Sequence, residues 1–314
     1  MSTFELWQPL SARQSGNEQW YEKVSPALAT GLREWLFRAG HDVDRSDLER
    51  VPVRLGLRVD WEPGPYDEDS DPPTFRDRRT RVSHSLASVA PDRALLDLVD
   101  AYLDLLPARS PAPKATDSMP LRIVAAMSAI KPDHRKNLQQ HLNDARLIYT
   151  ISKDGRRLVR RTDPASALAL DDACNALDQM PASGSAADFL RSAWTATSAL
   201  HPDAPRAYSD AIKAVEAAAH SVVEPSNTKA TLGTMLGELR KLPYRFTAGV
   251  GQPGTSAGIE SVIAMMDVLW KGQTSRHGGQ RPTVWETVEQ ARAAVHLAGT
   301  LVTWFATGII QRQP

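Results

Sequence analysis

The sequence predicts a mainly α-helical protein, and three observations support this fold class. Within residues 185–310, four stretches place apolar residues at alternating steps of three and four, the period of a helix with one buried face. Residues 92–106 show the same period earlier in the chain. Between these regions, residues 147–161 (LIYTISKDGRRLVRR) show a hairpin signal, because Asp154 and Gly155 can supply the positive φ angles of a tight turn. We therefore expect a C-terminal helical bundle, a small α+β segment with a β-hairpin before it, and an N-terminal, mostly helical domain.

Residues 1–106 are expected to form the N-terminal domain. Residues 24–40 contain four apolar residues on one helix face before Gly40, which is a plausible helix end: Leu28, Leu32, Trp35 and Leu36. Residues 50–61 (RVPVRLGLRVDW) alternate apolar and other residues, which predicts a strand, or else an irregular apolar run, because proline and glycine interrupt it. Residues 60–73 are rich in acids and prolines and are interpreted as an exposed loop.

A domain boundary is predicted at residues 107–120, where four prolines exclude helix and central strand. Residues 121–180 are expected to form two helices, the basic hairpin and a further helix. Residues 185–314 are expected to form the bundle, because the apolar faces of four helices can be buried only against one another.

Composition narrows the classes of function. The chain carries 37 basic and 37 acidic residues, so any binding to nucleic acid must use a local patch. A single cysteine, Cys174, rules out an internal disulfide and a cysteine-based zinc site, and no two histidines have the i, i+4 spacing of a zinc motif. The N-terminus lacks the pattern of a signal peptide, and no apolar run approaches the roughly 18 residues needed to span a bilayer. We expect a cytoplasmic protein with no metal, no cofactor and no membrane partner.

The candidate catalytic site lies in residues 273–282 (QTSRHGGQRP), between two predicted helices. A guanidinium at Arg276 can neutralise charge that develops on phosphorus, and His277 can act as acid or base near neutral pH. The two glycines that follow would let a backbone approach closely. The alternative interpretation is an ordinary polar helix end. Glu216 is predicted either to position Arg276 across the bundle or to pair with Lys213 one helical turn away.

The hairpin region is the second candidate site. Residues 146–161 carry six basic residues against one acid, a net charge of +5. A helix followed by a basic hairpin is similar to a winged-helix domain, whose wing contacts the phosphate backbone. A solvated hairpin is the alternative. The candidate nucleic-acid-binding residues are Arg156, Arg157, Arg160 and Arg161.

Three segments carry a family resemblance: residues 207–241, the SRHGG sequence at 275–279, and the AVHLAGTLVTWF sequence at 294–305. Together they resemble the C-terminal domain of bacterial abortive-infection proteins, which belongs to the HEPN superfamily of helical bundles. The resemblance covers roughly residues 185–310. It implies a bundle of four or five helices, frequent homodimers, and metal-independent RNA cleavage in many members.

Active members of this superfamily carry an arginine, a polar residue and, after four to six residues, a histidine. Neither register completes that pattern here. If His277 is the motif histidine, Lys271 stands near the arginine position. If Arg276 is the motif arginine, Pro282 stands near the histidine position.

The resemblance therefore leaves three functions open. The first is an anti-phage ribonuclease in which Arg276 stabilises the transition state, His277 moves the proton, and Lys271 steers the phosphate. The second is an inactive bundle kept for dimerisation or for sensing a phage or host protein. The third is nucleic-acid binding through the hairpin.

Overall fold

The computed structural model shows a mainly helical chain that divides into two units, Met1–Arg161 and Thr162–Pro314. None of the helices in the described residues is long and apolar enough to cross a membrane. The predicted acidic loop at 60–73, most of the predicted linker at 107–120, and the helix expected before residue 133 lie outside the described residues. The structure describes residues 20–57, 83, 85–88, 90–107, 133–180, 185–250, 257–276 and 282–313.

The N-terminal unit packs short helices around one apolar core. Helix α1 begins where the Ser25 side chain accepts a hydrogen bond from the Leu28 amide, and it ends at Gly40 as predicted. Its buried face includes Leu32 and Trp35, and the Trp35 indole donates to the His134 carbonyl at 2.7 Å. The elements are α1 (Pro26–Gly40), α2 (Arg45–Leu55), α3 (Leu95–Leu105), α4 (His134–Asp144), β1 (Tyr149–Ile151) and β2 (Leu158–Arg160).

The strand predicted for residues 50–61 is wrong over its described part, because residues 51–55 belong to helix α2. The Asp44 side chain accepts a hydrogen bond from the Ser46 amide and caps this helix, and Gly56 ends it with a φ of 62°. Val53 is 81% exposed although Val51 is buried, so the alternation of apolar residues does not mark one buried face. Capping residues at both ends fix the helix.

The predicted hairpin is confirmed. Strands β1 and β2 pair antiparallel, with Ile151 opposite Leu158. Gly155 has a φ of 75°, whereas Asp154 does not adopt positive φ; its side chain instead accepts hydrogen bonds from Ser152 and from the Arg156 amide.

The two units divide after Arg161, inside the segment 121–180 that is predicted above as one region. Helix α4 and the hairpin belong to the first unit, because α4 packs on α1 and the Leu158 amide donates to Asp100 on α3. The next helix belongs to the second unit and begins with Asp163 as its cap.

The C-terminal unit is a helical bundle, as predicted, with one feature that was not predicted. Its last strand pairs antiparallel with a short strand that follows the fourth helix, Phe246 opposite Arg312. The elements are α5 (Pro164–Asp178), α6 (Ala186–Ser198), α7 (Ala204–Val223), α8 (Leu232–Lys241), β3 (Phe246–Ala248), α9 (Ala257–Gly272), α10 (Val288–Ala306) and β4 (Ile310–Arg312).

Helix α7 is the central helix of this bundle and packs on both α6 and α10. Its buried surface is built largely from alanine, which lets neighbouring helices approach closely. Larger side chains from α8, α9 and α10 fill the rest of the core. The buried alanines of α7 are Ala204, Ala207, Ala211, Ala214, Ala218 and Ala219.

Candidate functional site

The candidate site lies where α9 ends and the chain turns towards α10. Arg276 folds back over the end of α9: its Nη2 donates to the Trp270 carbonyl at 2.8 Å. Its guanidinium carbon lies 3.2 Å from the centre of the Trp270 ring, a cation–π contact. A carbonyl in the last turn of a helix has no partner within the helix, so the arginine satisfies it and is held in one position.

Arg276 has two donors that no described residue accepts. Its Nε and Nη1 atoms are buried, and neither has a hydrogen-bond acceptor among the described residues. Burial lowers the pKa of Arg276 from its usual value, and the charge of Glu216 opposes this shift. A guanidinium with unmatched N–H groups has a strong preference for an anion.

Two glycines allow the packing around Arg276. A Cβ at Gly233, in the first turn of α8, would lie 2.7 Å from Cζ2 of Trp270. A Cβ at Gly272, the last residue of α9, would lie 2.0 Å from the Tyr208 hydroxyl. Both positions require glycine because an aromatic side chain occupies the space that a side chain would need.

Glu216 lies near Arg276, but its direct hydrogen bond is elsewhere. Its Oε1 accepts from the Leu232 amide at 2.7 Å and so satisfies a free donor at the start of α8. Burial raises the pKa of Glu216 above its usual value, while the Leu232 amide and the charges of Arg276 and Lys213 oppose the rise. No ion pair joins Glu216 to Arg276 or to Lys213 among the described residues, and Lys213 pairs instead with Asp210 at 3.0 Å. The structural role of Glu216 is to hold α8 against α7.

Glu286 anchors the two sides of the loop that carries Arg276. It is 5% exposed, and its Oε1 accepts from the Ser275 amide at 2.8 Å. Beside it, the Thr274 hydroxyl donates to the Val284 carbonyl at 2.6 Å. Burial alone would raise the pKa of Glu286, but hydrogen bonds, led by that of Ser275, hold it below its usual value. The carboxylate is therefore charged and fixes residues 274–275 to residues 284–286.

Lys271 forms an ion pair with Asp267. Its Nζ lies 2.6 Å from Oδ2 of Asp267, one turn earlier on α9, and its side chain is 70% exposed. Arg240 donates to the other oxygen of Asp267 at 2.6 Å. These two cations hold the pKa of Asp267 below its usual value. The described contacts thus place Lys271 in a surface ion-pair network, and none of them joins it to Arg276.

His277 and the two glycines after it lie outside the described residues. The site that the structure describes therefore consists of Arg276 with Trp270, Tyr208, Glu216 and Glu286. Sequence reasoning identified Arg276 and Glu216 and missed the other three. The only sequence signal for Glu286 is its position, directly before Thr287, which caps the start of α10.

The hairpin arginines are each engaged by side chains or carbonyls of the first unit. Arg156 pairs with Asp104 at 3.0 Å, and Arg157 with Asp100 at 3.4 Å. Arg160 pairs with Glu22 at 3.1 Å. Arg161 stacks 4.6 Å from the Trp20 ring and donates to the Leu147 carbonyl at 2.9 Å. Carboxylates therefore balance much of the positive charge that the sequence places on the hairpin.

The fold and this site define a mainly helical protein in which the guanidinium of Arg276 is held at the C-terminal end of helix α9. No protein family, curated protein or solved structure matches the chain. Among the described residues, no group of three or more histidine, cysteine, aspartate or glutamate side chains is arranged to hold a metal ion.

Proposed function

We propose that the C-terminal unit binds the phosphate backbone of RNA at Arg276 and cleaves it with the help of His277. The observation that carries the proposal is the state of Arg276: Trp270 holds its guanidinium rigidly, and two buried N–H donors lack acceptors among the described residues. A phosphate oxygen satisfies such donors well, and a fixed cation stabilises charge without reorganising during the reaction.

In the proposed reaction, the ribose 2′-hydroxyl loses its proton to His277 and forms a bond to phosphorus. The bond from phosphorus to the 5′ oxygen breaks, that oxygen takes up a proton from water, and the other product is a 2′,3′-cyclic phosphate. Arg276 stabilises the extra negative charge on the phosphoryl oxygens between these two events. Lys271 has no part in this scheme, because its ammonium is bound to Asp267.

The cellular role that we propose is defence against phage of the abortive-infection type, in which RNA cleavage stops growth of the infected cell. The resemblance of residues 207–241, 275–279 and 294–305 to HEPN-type bundles supports this role, as does the helical bundle itself. A homodimer and a trigger from phage or host belong to the same proposal.

The test is cleavage of total RNA by the purified full-length chain. We expect cleavage to be lost in Arg276→Ala and in His277→Ala, weakened in Arg276→Lys because lysine lacks the forked geometry, and kept in Arg292→Ala on α10 as the matched control. Cleavage that persists unchanged in either alanine variant would remove that residue from the mechanism.

A second candidate is an anion-sensing bundle without catalysis. The engagement of Lys271 by Asp267 favours it, because the second cation of the predicted site is then unavailable to a phosphate. This candidate predicts RNA binding that depends on Arg276, no cleavage product, and a stable dimer in light scattering.

A further inference from the structure

A large aromatic side chain lies exposed beside the Arg276 loop. Trp285 is 65% exposed and its neighbour Val284 is 71% exposed. An exposed indole offers a large, flat apolar surface that the ring of a ligand can cover.

The backbone around Trp285 is anchored on both sides. The Val284 carbonyl accepts from Thr274, and the Glu286 carboxylate accepts from the Ser275 amide. Residues 282–287 form no helix or strand but run as a connecting segment into α10. Glu286 is almost fully buried while Trp285 is mostly exposed, so the two neighbouring side chains lie on opposite sides of the segment. The indole is therefore presented to solvent on a fixed support.

The same anchors bring the backbone that carries Trp285 against the residues that directly precede Arg276. Thr274 and Ser275, which hold the Trp285 segment, directly precede Arg276. An exposed ring and a guanidinium with buried donors, carried on two segments that are hydrogen-bonded to each other, match the two chemical parts of a nucleotide, the flat base and the charged phosphate.

We propose that Trp285 is a base-stacking site for single-stranded RNA whose phosphate is bound by Arg276. This inference rests on the proposed function and adds the class of substrate: the bases of a single strand are free to stack on a protein ring, whereas those of a duplex are stacked on each other. An apolar protein partner would also cover Trp285, but the unused donors of Arg276 favour an anionic ligand.

The experiment measures binding of the full-length chain to two fluorescent strands of equal length. One is a 2′-O-methyl oligonucleotide, which cannot be cleaved through its 2′ oxygen, and the other is an abasic strand with the same number of phosphates. We expect Trp285→Ala to weaken binding of the first strand by roughly 5- to 100-fold and to leave the abasic strand unchanged. Trp285→Phe should retain part of the affinity, since phenylalanine still stacks.

Tyr244→Ala is the matched control, because Tyr244 is another mostly exposed aromatic residue of the same unit, in the short turn before β3. It should bind both strands like the unmodified chain. Equal affinity of Trp285→Ala and the unmodified chain for the 2′-O-methyl strand would overturn the stacking site. A lower mass of Trp285→Ala in light scattering, with unchanged RNA affinity, would assign Trp285 to a protein interface and overturn it as well.

Arg276→Ala separates this inference from the proposed function. Loss of the phosphate contact should weaken binding of both strands, whereas loss of stacking weakens only the strand with bases. If Arg276→Ala binds the abasic strand normally, the proposed function fails. If Trp285→Ala binds both strands normally while Arg276→Ala does not, only the stacking site fails.

Discussion

Replacing Gly233 with alanine should displace the ring that supports Arg276. Gly233 and Gly237 both lie in α8, so the gain from replacing glycine in a helix, about 0.5–1 kcal/mol, is shared by the two alanine variants and largely cancels between them. The added Cβ at Gly237 meets nothing within 4 Å, whereas that at Gly233 lies 2.7 Å from Cζ2 of Trp270. The indole is rigid and carries Arg276 on its face, so it cannot yield by a simple rotamer change.

The expected difference between the two variants is therefore the cost of overpacking, about 1–3 kcal/mol in the free energy of unfolding. In calorimetry, Gly237→Ala should raise the midpoint temperature of one thermal transition above that of the unmodified chain. Gly233→Ala should unfold in the same transition at a lower midpoint temperature than Gly237→Ala. For a domain of 150–250 residues, each kcal/mol corresponds to about 2–4 °C. Equal stability of Gly233→Ala and Gly237→Ala would refute the close contact between α8 and the Trp270 ring.

Two further predictions concern the same region. Gly272→Ala should lower the free energy of unfolding by about 1–3 kcal/mol, since its Cβ would lie 2.0 Å from the Tyr208 hydroxyl. This cost should be smaller in a Tyr208→Phe background, which lacks that hydroxyl. In a double-mutant cycle measured by urea unfolding, additive costs of the two substitutions would argue against the contact. Burial raises the pKa of Glu216 in the folded chain, so the stability linked to its neutral form is present below about pH 4.5 and is lost as the pH rises through the folded pKa. Glu216→Gln, which stays neutral and keeps an oxygen for Leu232, should thus gain stability relative to the unmodified chain as the pH rises from 4.5 towards neutrality; a pH-independent difference in urea unfolding would contradict this.

Helices with a long apolar face were predictable from sequence, and so was the hairpin, because its turn signal is local; helix α2 was not. In α1, the spacing of Leu32, Trp35 and Leu36 matches the buried face that the structure shows. In α2, the alternation around Val51 and Val53 suggested a strand, but it covers few residues and competes with the capping at Asp44 and Gly56. The helix signal from the two caps is local and specific, whereas alternation over so few residues also arises in a helix.

The pairing of β3 with β4 could not be anticipated for a different reason. Each strand has three residues, and they come from distant parts of the chain. Their register depends on the bundle that brings them together, so neither strand carries enough pattern by itself.

The candidate site was predictable only where the chemistry is local in sequence. Arg276 stands out beside His277 and a glycine pair, and the ion pair of Lys271 with Asp267 follows from their separation of four residues. The contacts of Gly233 with Trp270 and of Gly272 with Tyr208 join different helices, and these depend on how the helices pack.

The alanine-lined surface of α7 has a mechanical consequence. An alanine side chain has no rotamers to change, so a clash against this surface cannot be absorbed locally and must shift an entire helix. Tyr208 and Glu216 both lie on α7, about two turns apart, and the charge of Arg276 acts on both side chains. Ala211 is buried between these two residues, so Ala211→Leu would push α7 away from its neighbours. Tyr208 and Glu216 would then shift together, and the surroundings of Arg276 would change although no residue of the site is replaced.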